Sequence, residues 1–325
     1  MKNVFFLTVI LILMTPFAFA QSLGRIGNPK DTVTQTQSGY LLMGGSTDVD
    51  EAIKWFLQKS GGGDIIILRA SGGAGYNPYM FSLAKVNSVE TLLINSREEA
   101  GSPEISQKIK NAEGVFIAGG DQWNYIQYWG NTPLQEALQY VIKQKKIPIG
   151  GTSAGLAVMG EYVFDAKLDG VTSEEAFTDM HGPKISITHR FLDITLLNNT
   201  ITDSHYSARN RMGRHVVFML KIQQQFGQMQ KGIGIDEKTA LVFDEKGVGL
   251  VFGIGKVFFL HTNADNLLAG EKPIEWNSKK PGISVFSIEG KKEGAPVISL
   301  QYCFQQNSNQ VRIKNGVLHF TELTK

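Results

Sequence analysis

Residues 147–155 read Ile-Pro-Ile-Gly-Gly-Thr-Ser-Ala-Gly and join a short apolar run to a segment, 156–162, that we expect to be helical. A G-x-S-x-G sequence between a strand and a helix is typical of a nucleophile elbow, in which a strained turn pushes the serine hydroxyl out of the sheet. The flanking glycines leave room for such a turn. Ser153 is therefore a candidate nucleophile, and a purely structural turn is the alternative.

Short apolar runs of strand length precede this turn along the chain. They cover residues 65–68, 91–94, 115–118 and 147–149. Runs of this kind are typical of strands that are buried on both faces of a parallel sheet.

Amphipathic segments lie between the apolar runs. We expect a helix over 48–60, where Ala52, Ile53, Phe56 and Leu57 share one face. We expect another from about 133 to 145, opened by a capping box at Thr132. The alternation predicts an α/β fold with a mostly parallel sheet flanked by helices.

Composition divides the chain into four regions. Residues 1–20 combine Lys2, an apolar run and the cleavage signal Ala-Phe-Ala, which predicts a signal peptide cleaved near Ala20. We expect 21–38 to be a loosely held polar leader, 39–262 a catalytic α/β domain and 263–325 a β-rich C-terminal extension. The mature protein is then exported, periplasmic or secreted, and free of the membrane; an uncleaved membrane anchor is the alternative.

The overall composition excludes several function classes. The formal net charge is +2 with no basic tail, which disfavours nucleic acid as a partner. Cys303 is the only cysteine, so a disulfide framework and thiol redox chemistry are excluded. The six histidines show no spacing typical of a metal site, and we expect neither a metal nor an organic cofactor.

One histidine lies in an unusual setting. His205 follows Asp203 and precedes Arg209, Arg211 and Arg214 in a polar, cationic stretch. The arginines either form a solvated helix face or hold ligand carboxylates through bidentate hydrogen bonds.

A glycine pair, Gly119-Gly120, follows the apolar run at 115–118. Ligands of open parallel sheets bind beyond the carboxyl ends of the strands, so we expect this loop to face the same crevice as Ser153. Backbone N–H groups of Gly120 and Ala154 could stabilise an oxyanion, although a glycine pair is more often a tight turn.

Taken together, four motifs resemble the cyanophycinase family of serine peptidases. They are Phe-Ile-Ala-Gly-Gly-Asp-Gln at 116–122, Gly-Gly-Thr-Ser-Ala-Gly at 150–155, Asp-Ser-His-Tyr at 203–206 and Gly-Ile-Gly-Ile-Asp-Glu at 232–237. The resemblance spans roughly residues 40–262. It implies a fold similar to the class I glutamine amidotransferases, with serine in place of their nucleophilic cysteine, and a possible homodimer.

The resemblance also implies residue roles. Ser153 would be the nucleophile, His205 the general base and Glu237 the carboxylate that orients the imidazole. Substrate-contacting positions of the family match Gln122, Asp203, Arg209, Arg211 and Arg214.

Three functions follow as alternatives. The first is a peptidase for β-aspartyl amide linkages that converts cyanophycin, a poly-aspartate carrying arginine on its β-carboxyls, into β-aspartyl-arginine dipeptides. The second is an aspartyl or isoaspartyl dipeptidase with the same triad, and the third a non-catalytic binding protein for acidic peptides. Ser204 stands where the family usually has glutamine, which leaves the side chain beyond the β-aspartyl unit open.

Overall fold

The computed structural model describes residues 21–228, 230–262, 282–306, 309–314 and 317–322. The predicted signal peptide lies outside these ranges, as does the part of the predicted C-terminal extension at 263–281. Within them the strands are β1 (Gln21–Gly27), β2 (Gly39–Met43), β3 (Asp64–Arg69), β4 (Ser88–Leu93), β5 (Gly114–Ile117), β6 (Pro148–Thr152), β7 (Tyr162–Phe164), β8 (Ile187–His189), β9 (Thr200–Asp203), β10 (Lys231–Ile235), β11 (Thr239–Asp244), β12 (Gly249–Gly253), β13 (Lys256–His261), β14 (Ile283–Glu289), β15 (Ala295–Val297), β16 (Asn309–Lys314) and β17 (Val317–Glu322).

The α-helices of the same ranges are α1 (Asp50–Lys59), α2 (Tyr76–Leu83), α3 (Arg97–Ala100), α4 (Pro103–Asn111), α5 (Gln122–Trp129), α6 (Pro133–Tyr140), α7 (Ala154–Ala157), α8 (Ser173–Thr178), α9 (Met212–Phe226) and α10 (Leu300–Gln305). A π-helical turn, Val141–Lys145, extends α6, and a 3₁₀ turn covers Thr195–Leu197. None of the helices in the described ranges has the length and apolar character needed to cross a bilayer.

The first sheet has nine strands in the order β1-β4-β3-β5-β6-β2-β11-β12-β15. Its central part, β4-β3-β5-β6-β2, is parallel, whereas β1, β11, β12 and β15 add antiparallel edges. The buried apolar runs of the sequence form these parallel strands. The α/β fold with a mostly parallel core sheet and flanking helices is therefore confirmed.

The second sheet has eight strands in the order β17-β16-β14-β13-β10-β9-β7-β8. Its strands β9 and β10 are parallel and lie next to each other. The loops that follow them carry His205 and Glu237, so this sheet presents two of the candidate triad residues. The sequence pattern did not separate this sheet from the first.

The C-terminal region is rich in strands, as expected, but these strands do not form a sheet of their own. In the described ranges, β14, β16 and β17 extend the second sheet from β13. β15 instead pairs with β12 at the edge of the first sheet. This region therefore completes both sheets.

The prediction that residues 21–38 are a loosely held leader is wrong for their first part. Residues 21–27 form β1, which pairs antiparallel with β4 across a bulge. The guanidinium of Arg25 donates two hydrogen bonds to the buried carboxylate of Glu90. The sequence of this segment lacks the alternation of apolar and polar residues that marks a half-buried strand. Backbone pairing with β4 and the ion pair between Arg25 and Glu90 hold it in place.

Two helix predictions needed correction, whereas α1 buries the four apolar residues expected of it. The capping box at Thr132 is absent. The hydroxyl of Thr132 donates to the carbonyl of Trp129, and the side-chain oxygen of Gln135 accepts from the backbone N–H of Asn131. The helix expected over 156–162 is the single turn α7, since β7 begins directly at Tyr162.

Candidate active site

Ser153 lies at a sharp turn between β6 and α7. Its backbone has φ 52° and ψ −113°, a conformation that a non-glycine residue adopts only under strain. A Cβ on Gly155 would lie 2.0 Å from the carbonyl oxygen of Ile117, and one on Gly151 would lie 2.4 Å from that of Gly155. Both glycines of the motif are therefore required by close backbone packing, as a nucleophile elbow demands.

His205 and Glu237 meet Ser153 in one line of hydrogen bonds. Ser153 Oγ lies 2.8 Å from His205 Nε2, and His205 Nδ1 lies 2.6 Å from Glu237 Oε1. With Nδ1–H donating to the carboxylate, Nε2 is left as the acceptor for the serine hydroxyl. The structure thus brings together three residues that lie 52 and 32 positions apart in the chain.

The electrostatic setting keeps this imidazole neutral near pH 7. Burial lowers the pKa of His205; the hydrogen bond to Glu237 acts in the opposite direction, and nearby Arg209 and Arg211 lower the pKa further. The hydrogen bond from His205 lowers the pKa of Glu237. A neutral imidazole beside a charged carboxylate is the state in which histidine can accept the proton of a serine.

Three consecutive carbonyls at the end of β2 hold the triad segments. The backbone N–H of Ser153 donates to the carbonyl of Met43, and that of His205 donates to the carbonyl of Gly44. The backbone N–H of Lys238, the residue after Glu237, donates to the carbonyl of Gly45. We define Met43, Gly44 and Gly45 as the β2 anchor.

Gly45 also leaves space for the imidazole. A Cβ at this position would lie 2.6 Å from both Cε1 and Nε2 of His205, and the residue has φ +95°. The sequence analysis missed the β2 anchor. A glycine pair placed directly after an apolar run was the available signal.

The two groups predicted to form the oxyanion hole lie beside Ser153. Gly120 and Ala154 line the same small cavity as the serine. Gly119 packs directly on Ser153, because a Cβ on this glycine would lie 3.4 Å from the serine Cβ. The hydroxyl of Tyr125, which is buried, donates to the carbonyl of Ala118 at the start of this loop. We call residues 118–120 the oxyanion loop, and Tyr125 is a further contact that sequence reasoning missed.

The predicted substrate-contacting residues gather around the same cavity. Its volume is about 70 Å³, and it is lined by Gln122, Asp203, Arg209, Arg211 and Arg214 together with the serine and the histidine. The sequence order alone could not show that β5, β6 and β9 direct their following loops to one place. In the structure all of these residues lie at one crevice.

The arginines differ in how free they are to meet a ligand. Arg214 is buried and donates Nε and Nη2 to the carboxylate of Asp203, at 2.9 and 2.7 Å. The adjacent guanidinium groups hold the pKa of Asp203 below its usual value despite burial. Arg211 donates to Asp203 and to the Ser204 carbonyl, whereas the exposed guanidinium of Arg209 forms no hydrogen bond or ion pair among the described residues.

A strained serine turn follows β6 of the parallel first sheet, and hydrogen bonds join its serine to a histidine and a glutamate from loops of the second sheet. This arrangement defines a serine-type hydrolase. Comparison with protein-family models agrees: the model of peptidase family S51 matches residues 40–251. The chain belongs to this family, and it is a serine-type peptidase.

Curated relatives support the same assignment. The chain is 28% identical over 256 residues to a cyanophycinase of Nostoc sp. strain PCC 7120, covering 74% of this chain and 81% of the relative. It is 27% identical over 232 residues to the cyanophycinase of Geminocystis herdmanii, covering 68% and 79%.

A solved structure is similar in fold. The crystal structure of a peptidase from an acI-B1 Actinobacterium aligns with a TM-score of 0.51 and 19% identity, covering 79% of this chain and 98% of that one.

Proposed function

We propose that the protein is a cyanophycinase-like peptidase that releases β-aspartyl-arginine dipeptides from their polymer, with Ser153, His205 and Glu237 as its triad. The observation that carries the proposal is the continuous hydrogen-bonded line of these three side chains, at 2.8 and 2.6 Å, beside a cavity bordered by arginines. The names of the curated relatives point to the same substrate.

In the proposed mechanism, His205 Nε2 takes the hydroxyl proton as Ser153 Oγ attacks the scissile carbonyl carbon. Backbone N–H groups of Gly120 and Ala154 stabilise the oxyanion of the tetrahedral intermediate. His205 then gives its proton to the leaving amine, and the acyl-enzyme is hydrolysed by water with His205 again as the base. Glu237 keeps the imidazole in the required tautomer throughout.

The bond that breaks in this scheme is the backbone amide between successive aspartates, because the β-linkage to arginine stays intact in the product. Each unit of such a polymer carries a free α-carboxylate on its arginine. Arg209 and Arg211 can supply the counter-charge, since Arg209 is exposed and Arg211 is only partly engaged by Asp203.

The test is turnover of the purified chain on cyanophycin, with mass spectrometry of the products. We expect β-aspartyl-arginine from the wild-type protein, and a fall in kcat of about 10⁴-fold or more for Ser153→Ala. Ser102→Ala, which removes a hydroxyl that forms no capping hydrogen bond at α4, is the matched control and should leave kcat unchanged. Full activity of Ser153→Ala would refute the triad.

A second function, cleavage of aspartyl or isoaspartyl dipeptides by the same triad, is favoured by the small size of the cavity, about 70 Å³. The two functions differ in the length of substrate that is accepted. If the protein is a dipeptidase, kcat/KM will be higher for dipeptides than for polymer in the same assay.

We also propose that the protein is exported after cleavage near Ala20. The proposal rests on Lys2, the apolar run at 4–14 and the Ala-Phe-Ala sequence at 18–20. Sequencing the N-terminus of the protein purified from its native host tests it: a mature chain beginning at Gln21 supports cleavage, and a retained Met1 contradicts it.

A further inference from the structure

A second cavity opens beside the catalytic crevice and has no part in the mechanism above. Its volume is about 380 Å³, near the lower end of small-ligand pockets. It lies between the loop that follows β2 and the loop that follows β3. Its lining includes Asp48, Asp50, Arg69, Tyr76 and Tyr79.

Both loops that bound this cavity also reach the catalytic residues. The β2 loop passes through Gly45, which packs on the imidazole of His205. The β3 loop passes through Ser71, whose hydroxyl would lie 3.6 Å from a Cβ on Gly120. A substrate seated at Ser153 therefore has the cavity within reach of a neighbouring side chain.

The two carboxylates in this cavity accept hydrogen bonds from tyrosine hydroxyls. Asp50 Oδ1 accepts a hydrogen bond of 2.7 Å from the hydroxyl of Tyr79, and Asp48 is hydrogen-bonded by Tyr76. Among the described residues neither aspartate forms an ion pair with lysine or arginine. Burial raises the pKa of Asp48, which shows that its negative charge is poorly solvated there.

Arg69 lies in the same lining but does not neutralise these aspartates. Its guanidinium donates to the backbone carbonyls of Ser71 and Gly73, in the glycine-rich loop that follows β3. The charged groups that line the cavity are the two carboxylates of Asp48 and Asp50 and the guanidinium of Arg69, so the net charge of the lining is negative.

The walls of the cavity suit a flat cation. Tyr76 and Tyr79 contribute two aromatic rings, tilted at 54° with centroids 6.2 Å apart. Guanidinium groups bind favourably over tyrosine faces and form bidentate hydrogen bonds with carboxylates. Gly75 also lines the cavity, and a Cβ on this glycine would meet nothing within 4 Å, so the space beside it is open.

We propose that this cavity is a specificity subsite that binds the guanidinium group of a substrate arginine, through Asp48 and Asp50 with Tyr76 and Tyr79 as its walls. The subsite rests on the proposed function, because it places the arginine side chain of a β-aspartyl-arginine unit next to the scissile amide. It separates arginine-bearing substrates from neutral ones of the same shape.

The experiment compares two ligands that differ only in charge. The dimer of β-aspartyl-arginine and its citrulline analogue, whose urea group is neutral and of similar shape, are titrated by calorimetry into Ser153→Ala protein. We expect the arginine ligand to bind about tenfold more tightly, from one carboxylate-cation contact and one ring contact. The Asp48→Asn/Asp50→Asn double variant keeps both tyrosine rings, so it should reduce this preference to about threefold.

Two further variants keep the result interpretable. Asp50 is exposed, so Asp50→Asn alone should fold normally and lose part of the preference. Glu51→Gln removes the adjacent charge on α1, which pairs with Lys54 outside the cavity, and should leave the preference unchanged.

Each outcome decides one of the two proposals. Equal binding of the two ligands by the parent protein, no binding of either, or a preference that stays at about tenfold in the double variant overturns the subsite. Because the titrations need no turnover, failure of the wild-type protein to cleave the arginine dimer or cyanophycin overturns the proposed function alone.

Discussion

Replacing Gly45 by alanine should disable the active site without touching a triad side chain. The new Cβ would lie 2.6 Å from both Cε1 and Nε2 of His205 and 3.1 Å from the Cβ of Ser153. Carbon atoms in contact prefer about 3.5–4.0 Å, so the imidazole must move by about 1 Å. The hydrogen bond of 2.8 Å to Ser153 would then exceed the reach of proton transfer, which is about 3.2 Å.

A displacement of this size from productive geometry costs about 100-fold in rate. We therefore expect kcat of Gly45→Ala to fall about 100-fold while KM changes little, since the arginines at the crevice are not displaced. The positive φ of 95° adds about 1–3 kcal/mol of backbone strain, which should appear as a lower Tm.

Steady-state kinetics on the β-aspartyl-arginine polymer, with circular dichroism to verify folding, measure both effects. Gly170→Ala is the matched control, because a Cβ there meets nothing within 4 Å. A folded Gly45→Ala protein with kcat within about threefold of the wild type would refute the close packing of Gly45 on the catalytic imidazole.

Other predictions concern the charges and the oxyanion loop. Arg209→Gln removes a cation that lowers the pKa of His205, so the pKa rises and the acidic limb of the kcat/KM profile moves to higher pH. Lys85→Gln changes an exposed lysine that precedes β4, at the opposite end of the parallel strands, and should leave the limb in place. Asp203→Asn leaves the buried guanidinium of Arg214 without its anion and should lower the free energy of unfolding by about 3–5 kcal/mol, measured with urea. Tyr125→Phe removes the hydroxyl that fixes the first carbonyl of the oxyanion loop, and kcat should fall about tenfold at constant KM. An unchanged kcat would show that the loop holds its orientation without this contact.

The sequence revealed the parallel core sheet because its signal is local. The runs at 65–68 and 115–118 are apolar throughout, as strands buried on both faces must be, and they formed β3 and β5. The second sheet gave no such signal. Its register depends on pairing between β9, β10 and β13, and on β14 beyond them, which are non-local contacts between short strands.

The sequence predicted which residues gather at the site, but not how they are arranged. The elbow motif and its flanking glycines pointed to Ser153, and resemblance to a family supplied His205 and Glu237. The β2 anchor was missed because the function of Gly44 and Gly45 is carried by backbone carbonyls and by an absent Cβ, which leave no side-chain pattern.

The β2 anchor also fixes the positions of the triad segments while leaving the lengths of the loops between them free to vary. Because three adjacent peptide groups fix the starting points of the serine, histidine and glutamate segments, their spacing does not depend on the length of the chain between them. Surface loops in those stretches can lengthen at small entropic cost, since closure entropy grows only logarithmically with loop length. Loop grafting within the exposed segment 167–170, between β7 and α8, is therefore a route to new substrate selectivity that leaves the proton relay intact.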